Sequence, residues 1–156
     1  MVLIIGIGNT LVGDDAVGLE AARRLADQPL PGGVRVLALE SPGLHLIDCL
    51  AGAERAILLD AVVGSGPPGT VSRLTVDDLE VRLGALSAHN LGAAEALHLA
   101  RLAEPEHLPK EIVIFGIEPK VMSPGLELSA EVAAVVPKVV GLVLEECHKE
   151  IELPTP

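Results

Sequence analysis

A chain of 156 residues, 49% of them apolar, is long enough to bury one sizeable core and too hydrophobic to be a disordered segment. Its net charge of −11 repels phosphate backbones, and its single aromatic residue, Phe115, offers no platform for stacking unpaired bases. Both features exclude nucleic acid as an expected partner and favour a soluble protein.

The chain opens on a continuous aliphatic run, "VLIIGI" (2–7), as expected for a strand covered on both faces. From residue 15 the period changes. Val17, Ala21 and Leu25 recur every four residues, with Glu20, Arg23, Arg24 and Asp27 on the other side, which predicts an amphipathic helix. A weaker strand follows at 33–39, then a short helix over 43–53. "RAILLDAVV" (55–63) reads as a second central strand, "GSGPPG" (64–69) as a turn-rich loop, and "TVSRLT" (70–75) as an exposed edge strand. A leucine-faced helix is expected over 88–104, a third central strand over 111–119, and a last helix over 129–150 that Pro137 should kink.

Strands alternating with helices predict an α/β fold, a three-layer sandwich in which a twisted, mostly parallel sheet is flanked by helices. The pattern fits one domain over 1–150 and a short tail over 151–156. The start has no basic segment before its apolar run, so neither a signal peptide nor a membrane span is expected. The apolar stretch 129–147 carries Glu131, Pro137 and Lys138, as suits a core helix better than a spanning one. Cys49 and Cys147 form no Cys-x-x-Cys pair and read as reduced thiols of a cytoplasmic protein with no membrane partner.

In such sheets ligands gather beyond the carboxyl ends of the strands, which directs the search to the loops after residues 7, 60 and 117. The first loop is not a dinucleotide site. Gly6 and Gly8 are followed by Leu11 where a third glycine belongs, and Asp14 and Asp15 would repel a pyrophosphate at the helix start. One aspartate suffices to cap a helix, so the adjacent pair is open to capping alone or to a further role. Asp60 closes the apolar run "AILLD", where a carboxylate needs a partner or a cation. His45, His98, His107 and His148 read as ordinary surface or core histidines; His89 differs only in standing at the start of a predicted helix. Together Asp15, Asp60 and His89 offer two oxygens and an imidazole, a donor set that suits nickel, zinc, manganese or iron(II) and leaves coordination positions open.

"GIGNTLVGDDAVG" (6–18), "LLDAV" (58–62), "HNLG" (89–92) and "GIEP" (116–119), in this order, resemble the hydrogenase maturation endopeptidases, which remove a C-terminal peptide from nickel–iron hydrogenase large subunits. The resemblance implies a nickel-dependent endopeptidase acting on a hydrogenase large-subunit precursor, with nickel brought by that precursor. It places the metal-binding and catalytic roles on Asp15, Asp60 and His89, and the substrate-facing roles on Asn9, Glu40 and Gly43. Two positions depart from the family pattern: Ala16 stands where many members have glycine, and the loop "ESPG" (40–43) matches loosely. On this reading the glycine loop lets a metal approach the helix start. Two rival readings are a phosphoacceptor signalling domain using Asp60 and a late lysine such as Lys120, and a nickel-binding maturation chaperone that does not cut.

Overall fold

The computed structural model describes residues 1–83 and 92–149. Five strands form one sheet: β1 (Val2–Gly8), β2 (Val34–Glu40), β3 (Arg55–Ala61), β4 (Val71–Leu74) and β5 (Glu111–Ile117), in the order β2-β1-β3-β5-β4. Four strands run parallel, and β4 pairs antiparallel with β5 at the edge. The helices are α1 (Val17–Ala26), α2 (His45–Leu50), α3 (Val76–Leu83), α4 (Ala93–Ala103) and α5 (Ala130–Cys147). This is the expected three-layer arrangement.

Each face of the sheet has its own core. On one face α1 and α5 pack Val17, Ala21, Leu25, Val132, Val136 and Val143 against Ile4, Ile57, Leu59 and Phe115. On the other, α2, α3 and α4 cover Leu3, Ile5, Leu58 and Ile114 with Leu46, Leu50, Leu79 and Leu97. The central strands β1 and β3 are buried on both faces, which is why their sequences are continuous aliphatic runs. In β2, at the sheet edge, every position is partly buried or exposed, which explains its weaker signal.

One element, α3, stands outside the expected pattern. The helix α3 follows β4 directly; Asp78 accepts hydrogen bonds from the amide and hydroxyl of Thr75, at 2.8 and 3.0 Å, and Thr75 thereby fixes its start. The expected last helix is α5, which carries Pro137 inside it at an exposed position. Among the described residues no helix is long and apolar enough to cross a membrane.

The amino ends of the strands are locked by a charge cluster. Arg55, 1% exposed, pairs with Glu111 at 2.8 Å and with Glu146, and donates to the Glu146 carbonyl at 2.7 Å. Arg73 also donates to the Glu146 carboxylate, at 2.8 and 3.1 Å. The Arg73 hydrogen bonds outweigh the opposing effect of burial and, with Lys149 and Arg55, hold the Glu146 carboxyl at about 2.

Because that pKa lies below the value in an unfolded chain, the stabilisation is complete above the ordinary glutamate range and disappears as pH falls towards about 2. Glu146→Gln should therefore lower unfolding free energy at pH 7 by about 3 kcal/mol. Urea denaturation at a series of pH values should show this deficit shrinking on acidification. A deficit independent of pH would mean that the lost contribution is not the charge.

Candidate active site

The chain turns one way from β1 to β2 and the other way from β3 to β5, so the sheet reverses its winding between β1 and β3. A crevice opens at such a point beyond the carboxyl ends of the strands. Here it is a cleft of about 650 Å³ lined by Ile7, Gly8, Asn9, Val12, Asp15, Ser41, Pro42, Gly43, Asp60, Gly92, Ala93 and Met122.

The approach of α1 to the sheet builds this cleft. A Cβ on Gly18 would stand 2.1 Å from the carbonyl oxygen of Leu59 and 2.5 Å from that of Ile7. One on Gly6 would stand 2.1 Å from the Gly18 carbonyl oxygen, and one on Gly8 would stand 2.0 Å from that of Asp15. The opening glycines are therefore occupied by backbone of the chain itself. The expectation that they make room for a metal is corrected: they let the helix start press onto β1 and β3, which brings Asp15 near Asp60. The close-packing glycine missed in the motif at Leu11 is supplied by Gly18.

The acidic pair divides. Asp15 lines the cleft, on a 3-10 turn over Gly13–Ala16. Burial raises its pKa, against a hydrogen bond from the Asn9 amide. Asp14 is fully buried and points away, into the segment between β5 and α5. It forms no side-chain helix cap, which corrects the capping reading for this residue. Asp60, the penultimate residue of β3, also lines the cleft. Burial pushes its carboxyl well above the usual range, the nearby charges of Asp15 and Glu95 push it further, and the Ala61 amide opposes them.

The remaining predicted residues separate. Asn9 lines the cleft and shapes its loop, with its side-chain oxygen accepting the Leu11 amide at 2.9 Å. Gly43, at φ +54, lines the cleft as well. Glu40 does not: its carboxylate accepts the Thr10 hydroxyl at 2.7 Å, tying the loops after β1 and β2 together. His89 lies outside the described residues; Gly92 and Ala93, the next described residues in sequence, line the cleft. Sequence reasoning missed Ser41, whose φ of +40 is unusual for a residue with a side chain and whose amide donates to the Gly8 carbonyl at 2.9 Å. It also missed Met122, which no motif marks.

Two carboxylates, both with raised pKa values, face one cleft whose described lining contains no lysine or arginine. That donor set fits a cation and repels an anion. Among the described residues no three of His, Cys, Asp and Glu converge, so Asp15 and Asp60 are the carboxylates the described lining offers. His98, His107 and His148 are engaged elsewhere, with Glu80, Glu104 and the Leu144 carbonyl. Lys120 pairs with Glu131 at 2.6 Å and is absent from the cleft lining, so the phosphoacceptor reading loses its lysine. Cys49 stands 3.5 Å from His45, but burial, and then Asp48, raise its pKa, the reverse of an activated thiol.

The hydrogenase maturation protease family model matches residues 19–146. The hydrogenase expression/formation protein HupD of Rhodobacter capsulatus is 34% identical over 76% of this chain, which spans 57% of that longer relative. Among solved structures, the hydrogenase maturating endopeptidase HybD of Escherichia coli superposes with a TM-score of 0.81 at 28% identity, covering 93% of this chain and 90% of its own. A nickel–iron hydrogenase maturation protease of Thermococcus kodakarensis gives a TM-score of 0.73 at 34% identity, covering 95% of this chain and 99% of its own.

A carboxyl group whose pKa is raised by folding stabilises the fold at low pH, and this contribution is lost as pH rises above the unfolded value. Asp60→Asn should therefore raise the melting temperature of the metal-free protein at pH 7. The gain should vanish below the ordinary aspartate range, where both side chains are neutral. Calorimetry at two pH values checks this; an unchanged or lower melting temperature at pH 7 would show that Asp60 is not held against its charge.

Proposed function

This chain belongs to the hydrogenase maturation proteases, and we propose that it removes the C-terminal peptide from a nickel-loaded hydrogenase large-subunit precursor in the cytoplasm. The observation that carries this reading is the pair Asp15 and Asp60 facing one cleft without a positive side chain among its described lining residues. A bare pair of this kind is costly to the protein alone and becomes favourable when a cation enters with the substrate.

Nickel belongs to the precursor and acts as a recognition element. Asp15 and Asp60 supply oxygens to it, and His89 an imidazole, so that the scissile peptide is held beside the carboxylates. Asn9 and Gly43 bound the channel through which the peptide lies, with Ser41 and Pro42 completing that wall. Bound there, the ion supplies Lewis acidity to the peptide carbonyl or to the attacking water. The carboxylate pair takes the proton of the attacking water and returns one to the leaving amine. Ile7, Val12 and Met122 make one part of the cleft apolar, which strengthens each of these charge interactions.

Intact mass spectrometry of nickel-loaded and nickel-free large-subunit precursors incubated with this protein tests the proposal. Only the loaded precursor should lose a C-terminal peptide. Asp15→Asn, Asp60→Asn and His89→Ala should each slow cleavage by roughly 100-fold or more while leaving the fold intact. A variant that cleaves at the wild-type rate has lost a residue that is not in the site, and equal cleavage of the nickel-free precursor would remove metal recognition from the mechanism.

A further inference from the structure

Beside Asp15 lies a fully buried carboxylate that the proposed reaction does not use. Asp14 Oδ2 accepts the amide hydrogens of Lys120 at 2.9 Å and Val121 at 2.8 Å, together with the hydroxyl of Ser129 at 2.8 Å. Its Oδ1 accepts the amide of Ser129 at 2.7 Å. All four donors belong to the segment that joins β5 to α5.

Apart from the isolated bridge at Gly125, that segment has no ladder to hold it. Residues 120–127 are exposed, yet Met122 lines the cleft while still 47% open to solvent. Backbone bonds help to seat it. The Asp14 amide donates to the Val121 carbonyl at 2.8 Å, the Gly13 amide to the Gly125 carbonyl at 3.0 Å, and the Gly125 amide to the Leu11 carbonyl at 2.9 Å. Gly13 is fitted to the same contact, since a Cβ there would stand 2.7 Å from the Val121 carbonyl oxygen. Ser129 is the N-cap of α5, but its hydroxyl makes no cap and serves Asp14 instead. Residues on two sides of this junction thus forgo their local roles for one shared carboxylate.

We infer that Asp14 is a positioning residue for substrate binding: its carboxylate clamps the 120–129 segment against the Asp15 turn, so that Met122 forms a wall of the cleft that grips the apolar part of the peptide. The clamp acts through Met122 and leaves the chemistry of Asp15 and Asp60 in place. The inference rests on the cleft being where the precursor is cut.

Asp14→Asn keeps the shape but points an amide hydrogen pair at donors, and Ser129→Ala removes one donor with little threat to folding. In the cleavage assay with nickel-loaded precursor, Asp14→Asn should raise KM roughly ten-fold and Ser129→Ala roughly three-fold, with kcat within about two-fold of wild type. Met122→Ala should raise KM in the same way, and adding it to Asp14→Asn should cost little more, since both act on one wall. Loss of kcat at unchanged KM, or fully additive effects, would overturn the inference. Amide hydrogen exchange gives a readout independent of the reaction. The Lys120, Val121 and Ser129 amides should exchange faster in Asp14→Asn, while those of β1 and β3 stay protected. Unchanged exchange at these three amides would refute the clamp, whereas a wild-type protein that cuts no precursor would refute only the proposed function.

Discussion

The close approach of α1 to the strands β1 and β3 is the contact on which the site depends. Helix and sheet meet there through backbone, with Gly18 between the carbonyl oxygens of Leu59 and Ile7, and Gly6 and Gly8 against the carbonyls of Gly18 and Asp15. No side chain fits into those gaps. A helix held at ordinary side-chain distance would carry Asp15 away from Asp60 and open the cleft between them. The glycine-rich opening therefore serves the charge pair indirectly, by removing the atoms that would keep the two carboxylates apart.

Two neighbouring aspartates in the same turn have opposite environments. Burial alone would raise the Asp14 carboxyl, but amide hydrogens from Val121, Ser129 and Lys120, with the Ser129 hydroxyl, hold it below its ordinary value. It is a satisfied anion and a structural one. Asp15 is also raised by burial, with a single opposing amide, and faces the cleft. The member with fewer hydrogen bonds, partly exposed in the cleft, is the one available to a cation.

Charge is distributed along the sheet with the same logic. At the amino ends of the strands Arg55 and Arg73 neutralise Glu111 and Glu146, so those acids are closed to ligands. At the carboxyl ends Asp15 and Asp60 share a cleft without a basic lining residue. A buried acid with an arginine beside it holds a fold together, and a partly buried acid pair without one suits a positive ligand.

The layered architecture is legible in the residue pattern. Apolar runs at 2–7, 56–59 and 112–117 have no polar face and so demand cover on both sides, and the four-residue period of Val17, Ala21 and Leu25 demands a helix packed on one of those faces. The sequence also marked Asp60 and the Asp14–Asp15 pair, because a carboxylate at the end of an apolar strand or in a glycine turn conflicts with its surroundings. Composition and spacing leave Asp14 and Asp15 alike and only the family resemblance singles out Asp15; the tertiary structure supplies the physical reason, because the donors of residues 120–129, more than a hundred positions away, satisfy Asp14. It likewise decided that Glu40 is bound to Thr10 outside the cleft lining and that Ser41 and Met122 belong to it. These assignments depend on pairings between distant loops, and local sequence carries no record of the distance between them.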